Sequence, residues 1–597
     1  MKELQYPFDA NCILTKKKSI RRELLKDTSG MLSKNIAILG GYTTNNIKLM
    51  MELFLLDQGI MPSFYESEYN QFYQDAMFDN AELEAFKPDI IYICTSNRNI
   101  TEYPGLDLTP EQIDELLSGE TEKYCAIWDS LTERYHCPII QNNFELPGYR
   151  LMGNRDALDI HGKVNFINRL NLRLSECIGA RENVFVCDIN YLSADFGLSK
   201  WSDPFYWHMN KYAVSVDAIP YLAFNVSNII KSVFGKNKKG LVLDLDNTLW
   251  GGVIGDDGAE NIVIGPEEPE GQVYTEFQKY IKEQQDLGVI LNIDSKNDEE
   301  NALSGLAHPD SVLKKDDFIV IKANWEPKDK NFGEIASTLD LSPESLVFID
   351  DNPAERNIVS EQIPGVVAPE LGEVYQYINR IDRGGYFEVT SLTADDKKRN
   401  DMYRENAIRR QQQVSFADYG DYLRSLEMKA VIGSFEPVHM ARIAQLTNKS
   451  NQFNLTTRRY TQTEIEEISS DDEYITLYGK LIDKFGDNGV VSVIIGHIIE
   501  NVCHVDLWIM SCRVLKRDME FAMMDALVSE CAKRGISAIK GYYYPTAKNK
   551  MVKDFFGLQG FDKTCEDGEG NSEWLFNISP GYKNKNTVIA VEGGQGN

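Results

Sequence analysis

The chain has 597 residues and a formal net charge of −29, with 43% hydrophobic and 11% aromatic residues. At about 150 residues per domain this predicts three or four globular domains, each able to bury a core. The acidic balance argues against nucleic acid and anionic membrane as main partners, since both need a basic footprint. Ten cysteines are present and none forms a CxxC pair, so a structural zinc site is not expected. The opening "MKELQYPFDANC" lacks a signal-peptide layout, and there is no run of 18 apolar residues. The expectation is a reduced, cytoplasmic protein.

In chain order, residues 1–235 read as alternating strands and helices. "NIAILGG", "PDIIYICTS" and "NVFVCDI" are short apolar runs ended by small or polar residues, as buried parallel strands are. A basic link, "FGKNKKG", leads into a second unit, 236–383. There "LVLDLDN" is a strand followed by a helix carrying Val273, Phe277 and Ile281, with Gly288 as its stop signal. "VILNID" and "SLVFIDDNP" are further strands, and Phe332, Ile335 and Leu339 mark another helix face. Strands alternating with helices imply a doubly wound parallel sheet. Residues 384–426 read as a polar, helical connector. Residues 427–582 mix strands ("GVVSVIIGHII", "VCHVDLWIM") with helices, and 583–597 read as a flexible tail.

The chemistry concentrates where "LVLDLDNTLWGG" runs out. Strands of a parallel sheet point their C-terminal ends at a ligand crevice. Asp244 and Asp246 stand at one such end and Asp350 and Asp351 at another. Converging carboxylates repel one another unless a cation compensates. Mg²⁺ is the natural candidate, because it takes hard oxygen ligands and keeps room for water and a phosphate oxygen. Ser295 ends a third strand, and Lys328 opens a helix where it can supply positive charge to a phosphoryl group.

Strand-end DxDxT, strand-end Ser, Lys and strand-end DD, in that order, resemble the haloacid dehalogenase (HAD) phosphatases. The resemblance implies Asp244 as nucleophile and Asp246 as general acid and base. It implies Mg²⁺ held by Asp244, the Asp246 backbone and Asp351, with Asp350 acting through water. Thr248, Ser295, Asn247 and Lys296 would bind phosphate, and Lys328 would steady nucleophile and phosphate. About 45 residues separate the DxD from Ser295, too few for a helical cap domain.

The wider text, "DLDNTLWGGVIGDDG", "SKNDEENA", "ANWEPKDKNF", "VFIDDNPAERNIV", "NKSNQFNLTTRRY", "DKFGDNGVV" and "MSCRV", resembles FkbH-like proteins from about residue 35 to 580. So does "ADFGLSKWSDPFYWHMNKYA" upstream. The family implies dephosphorylation of 1,3-bisphosphoglycerate and delivery of a glyceryl group to an acyl carrier protein. Where glyceryl-transferring members often carry an acylated cysteine, this chain has Asp294; Cys512 in "MSCRV" is another candidate thiol.

Residues 1–235 resemble a degenerate SGNH hydrolase, with "GGYTT" in place of the nucleophile block. Asp203 and His208 stand five apart at the place of its closing Asp-x-x-His. Residues 427–582 resemble a GNAT acyltransferase whose phosphate loop reads "RVLKRD", without its glycines. Arg458, Arg459, Lys548 and Lys550 are the residues expected to meet an acidic carrier. Two alternatives stand beside this reading: a HAD phosphatase without acyl transfer, and a non-catalytic docking scaffold.

Overall fold

The computed structural model describes residues 1–392, 396, 398–414, 416, 418–449, 452–511, 514–546 and 549–593. The chain divides into two compact units, Met1–Lys236 and Asn237–Asn597. Among the described residues every cysteine is a free thiol, and no helix is long and apolar enough to cross a membrane.

The first unit is a five-stranded sheet of β1 (Leu32–Gly40), β2 (Ile60–Glu66), β3 (Ile90–Cys94), β4 (Ile139–Asn142) and β5 (Val184–Cys187). Its order is β2-β1-β3-β4-β5, and every pair is parallel. Both faces are covered by helices, so β3 and β4 are buried along their whole length and read as uninterrupted apolar runs. The switch in strand order falls between β1 and β3.

The second unit holds two sheets. The smaller has β6 (Gly240–Leu243), β7 (Ile290–Ser295), β8 (Val320–Ala323) and β9 (Leu346–Ile349), parallel in the order β8-β7-β6-β9. The helix Pro269–Asp286 packs on it through Phe277 and Ile281, both fully buried, whereas Val273 is half-buried beside a buried Tyr274. Gly288 follows the helix end with φ +93°, where an L side chain is strained. Phe332, Ile335 and Leu339 line the buried face of helix Lys328–Leu339.

The larger sheet contains β10 (Lys429–Gly433), β11 (Phe453–Asn454), β12 (Tyr474–Asp483), β13 (Gly486–Ile499), β14 (Val502–Met510), β15 (Ala538–Tyr543), β16 (Asp562–Glu566), β17 (Ser572–Asn577) and β18 (Ala590–Gly593). Its order is β16-β17-β15-β14-β13-β12-β10-β18. The parallel neighbours β14 and β15 pair over Val502–His504 alone. Beyond that they splay, and β11 pairs with the end of β14. The Leu455 amide then donates to Trp508 and the Leu455 carbonyl accepts from Tyr544, so one segment bridges both strands.

The expected tail from residue 583 is instead docked as far as Gly593. The Lys585 and Asn586 amides donate to the Asp525 carboxylate, Ile589 is buried, and β18 pairs with β10. The expected connector contains the helix Arg399–Val414, which packs Tyr403 into the core beside β6 and β9.

Candidate active site

Asp244 and Asp350 directly follow the last residues of β6 and β9, and Asp246 and Asp351 stand on the loops just beyond, so the fold gathers them at one edge. The Asp244 amide donates to the Ile349 carbonyl at 2.9 Å, which ties the β6 and β9 ends together. Asp244, Asp350 and Asp351 each present a carboxylate oxygen, and these three atoms lie within 4.8 Å of one another. Lys328 reaches in from the first turn of its helix. Its Nζ is 3.0 Å from Asp244 Oδ2 and 2.5 Å from Asp350 Oδ2, and its side chain is 3% exposed. Burial acts to lower the Lys328 pKa, but the two carboxylates overcome it and hold the ammonium charged.

One lysine does not balance this many carboxyl groups. Burial and the neighbouring Asp244 push the Asp350 and Asp351 carboxyls up. A bound divalent cation relieves that cost, and three hard oxygen donors around one point suit Mg²⁺. Asp350 has one oxygen on Lys328 and the other accepting from the Asn352 amide at 2.8 Å, which leaves Asp244 Oδ1 and Asp351 as the freer donors. The Arg356 guanidinium clamps the loop by donating to the Asp350 and Asp351 carbonyls, at 2.6 and 2.7 Å.

Asp246 is anchored from three sides. Its Oδ1 accepts from Trp250 Nε1 at 2.9 Å and from the Ile254 amide at 3.2 Å, and its Oδ2 accepts from Asn297 Nδ2 at 3.0 Å. Burial raises its pKa and Asp244 adds to the rise, while the Ile254 and Trp250 donors and Lys328 oppose it. Ser295 ends β7 at the same sheet edge, with its hydroxyl unbonded to any described residue.

The structure gives the other expected phosphate ligands different partners. Thr248 is fully buried; its hydroxyl accepts from the Asp351 amide at 3.2 Å and donates to Asp351 Oδ1 at 3.5 Å. It therefore steadies Asp351. Asn247 has φ +55°, and its side-chain oxygen accepts from the Gly252 amide, so it shapes the turn. Lys296 lies at the rim, paired with Glu355 at 2.6 Å.

Asp294 is fully buried at the end of β7. Asn331 donates to its Oδ1 at 3.1 Å, its Oδ2 has no partner, and burial pushes its pKa up to about 8. A carboxyl group cannot form a thioester, so Asp294 does not replace the family cysteine. Asn297, Trp250, Asn331 and Arg356 were not singled out by sequence reasoning. Their place inside "LDNTLW", "SKND", "KDKNF" and "DDNPAER" is the signal that was available.

Outside this site, the residues expected to meet a carrier are not presented alike. Arg459 is turned inward, and its guanidinium donates to the carbonyls of Thr447 and Asn448 at the end of helix Met440–Lys449. It caps a helix rather than facing a partner. Arg458 is exposed but paired with Asp506 at 2.8 Å, and Lys550 is exposed. Lys548 and Cys512 lie outside the described residues. In "RVLKRD", Lys516 and Asp518 hold φ +64° and +62°, the left-handed conformation that glycine adopts freely. Arg517 is buried against Asp483 at 3.2 Å and Asn406 at 2.8 Å, so it is not offered to a phosphate.

In the first unit, Tyr42 of "GGYTT" is buried and its hydroxyl accepts from the Cys94 thiol at 3.1 Å. Asp203 caps the helix Pro204–Asn210, and His208 is exposed on it.

Residues 35–231 match the family model of the FkbH N-terminal domain. The chain is also similar to the solved N-terminal part of the protein BF1531 from Bacteroides fragilis, which contains a phosphatase domain and is complexed with Mg. Identity is 31%, over 63% of this chain and 99% of that chain, with a TM-score of 0.58. The ribosomal-protein-S18-alanine N-acetyltransferase from Escherichia coli is 12% identical over 26% of this chain and 99% of its own, with a TM-score of 0.21. The spermidine N-acetyltransferase from Vibrio cholerae is 10% identical over 25% of this chain and 96% of its own, also at 0.21. No curated protein matches the chain. With the strand-end carboxylates, Ser295 and Lys328 in place and the N-terminal match beside them, the chain belongs to the FkbH family and carries a HAD-type phosphatase fold.

Proposed function

We propose that this protein is a Mg²⁺-dependent phosphatase that cleaves a phosphomonoester of a small acyl metabolite, and that its acyl product is passed to a carrier protein. The observation that supports the first half is Lys328 bridging Asp244 and Asp350 beside Asp351, with Asp246 separately anchored. Asp244, Asp351 and the Asp246 backbone would hold magnesium, which supplies charge neutralisation at the phosphoryl group when bound.

Asp244 attacks phosphorus through a carboxylate oxygen and forms an aspartyl-phosphate, while Asp246 gives its proton to the departing alkoxide. Asp246 then takes a proton from water, which attacks phosphorus, releases phosphate and restores Asp244. Lys328 and the Ser295 hydroxyl steady the phosphoryl oxygens. The second half of the proposal is supported by family resemblance. With Asp294 in place of the cysteine, the carrier thiol would attack the acyl carbon of a donor that also carries an acyl phosphate, forming the thioester as the acyl–oxygen bond breaks, inorganic phosphate leaves and the thiol proton passes to solvent.

The test is phosphate release from 3-phosphoglycerate, glycerol 3-phosphate and acetyl phosphate, with and without Mg²⁺. Release is expected to require Mg²⁺ and to vanish in Asp244→Asn. Asp351→Asn is expected to raise the Mg²⁺ concentration needed. Metal-independent release, or full activity in Asp244→Asn, would overturn the reading. Intact-mass measurement of a carrier protein incubated with donor tests the acyl step.

A further inference from the structure

The first unit carries a second crevice, formed entirely within residues 1–236 and independent of the phosphatase reading. Open parallel sheets bind ligands outside the carboxyl ends of their strands, where the strand order reverses. Here that point lies between the ends of β1 and β3. The floor is closed by Asn99, and every polar atom of its side chain is used. Its Nδ2 donates to the Gly41 carbonyl at 2.8 Å and to Asn70 Oδ1 at 3.2 Å, and its Oδ1 accepts from the Ser96 amide at 3.0 Å. A Cβ on Gly41 would lie 2.5 Å from Asn99 Oδ1, so only glycine lets the two strand ends meet this way. At the end of β4, Glu145 is buried and accepts from the Asn97 amide at 3.1 Å.

Above this satisfied floor, the helix Pro204–Asn210 is tied down by Thr43, whose hydroxyl donates to Asn210 and whose amide donates to Lys211. It brings Trp207 to the crevice. The Arg98 guanidinium lies 4.2 Å from one ring centroid of Trp207, and Lys211 Nζ lies 5.4 Å away. Neither cation makes a hydrogen bond or an ion pair with a described residue through its charged end. In a chain of net charge −29 two neighbouring cations outside any direct ion pair are conspicuous, and the one carboxyl acting on Arg98 is the buried Glu145, whose ionisation its own burial opposes. The place of Arg98 over the indole leaves the guanidinium's fork of donors unused. An incoming anion displaces no hydrogen bond or direct ion pair, and shares Arg98 with the buried Glu145 carboxyl.

We propose that this crevice binds a small anionic metabolite, a phosphate monoester or a carboxylate, between Arg98 and Lys211 on the Trp207 platform. The role is binding and not ester cleavage, because Tyr42 occupies the strand-end position a nucleophile would need and is buried on Cys94.

The experiment is calorimetric titration of the full chain in EDTA with glycerol 3-phosphate, glycerate and 3-phosphoglycerate, paired with tryptophan fluorescence. At least one probe is expected to bind saturably, and Arg98→Ala is expected to weaken it about tenfold or more. Lys211→Ala weakens it as well and decides the matter if the Arg98 variant folds poorly. Trp207→Phe abolishes the fluorescence change, and phosphate release at the other site is unchanged in all three. Comparing glycerol 3-phosphate with glycerate says which anion is preferred. No saturable binding of any probe, or binding unchanged in Arg98→Ala and Lys211→Ala but lost in Lys328→Ala, would overturn the proposal.

Discussion

Asp246 shows how a carboxyl group is prepared for two opposite tasks. Burial favours its acid form, while Trp250, Ile254 and Asn297 hold its oxygens in place. Asn297 is the donor that reaches it from a different strand end. Asn297→Ala should lower hydrolysis of alkyl phosphates, whose leaving oxygen needs a proton, by about tenfold or more. Acetyl phosphate and p-nitrophenyl phosphate, which leave without help, should be nearly spared; the ratio of the two rates is the measurement. Glu145 offers a second residue-scale prediction. Burial pushes its carboxyl up to about 7. The folded state therefore keeps a proton that the unfolded chain has lost, and stability falls as pH rises from the unfolded value near 4.5 to about 7. Glu145→Gln should remove that fall. Its unfolding free energy should gain on wild type between pH 4.5 and 8, by at most about 3 kcal/mol. An equal gap at both pH values would contradict the assignment. The positions of Asp244, Asp246, Ser295, Lys328 and Asp351 were legible because each lies at the end of a regular element. The partners of Thr248 and Asn247 were not, because hydrogen bonding is set by atoms that meet only in the fold.

At the scale of elements, apolar runs and helical spacing located β1, β3, β5, β6, β7 and β9 and the helices that cover them. Periodicity has nothing to work on in β11, two residues long, or in β18, four residues long; pairing with β14 and β10 makes them strands. Glycine-free "RVLKRD" also hid its left-handed backbone, since Lys and Asp are poor signals for φ above zero. The helix Arg399–Val414 is pinned by a buried cluster that the sequence reading passed over as a polar connector. Arg409 is 1% exposed and lies 2.6 Å from Asp483, which also takes Arg517 at 3.2 Å. Removing the shared carboxylate leaves the buried Arg517 with Asn406 alone and Arg409 with the half-buried Glu405 and Asn406. Asp483→Ala should destabilise the larger sheet by about 3–5 kcal/mol in denaturant unfolding. Phosphate release per folded molecule should stay unchanged, because Asp483 belongs to that sheet and not to the catalytic one.

At the scale of the molecule, every residue of the catalytic set lies between Asp244 and Asp351, within the small parallel sheet and its loops. The BF1531 relative, solved as an N-terminal part, covers 63% of this chain. A fragment of residues 1–414, which keeps Tyr403 on its core, should fold and retain Mg²⁺-dependent phosphate release. Loss of release in a folded fragment would show that the larger sheet contributes to the site. The central claim is that Asp244 becomes phosphorylated. It is tested most directly by acid quench during turnover with Mg²⁺ and a cleaved phosphomonoester, followed by borohydride reduction and peptide mass mapping. The account predicts homoserine at position 244, dependent on substrate and Mg²⁺; phosphate release at full rate with Asp244 unmodified, and retained in Asp244→Asn, would contradict it.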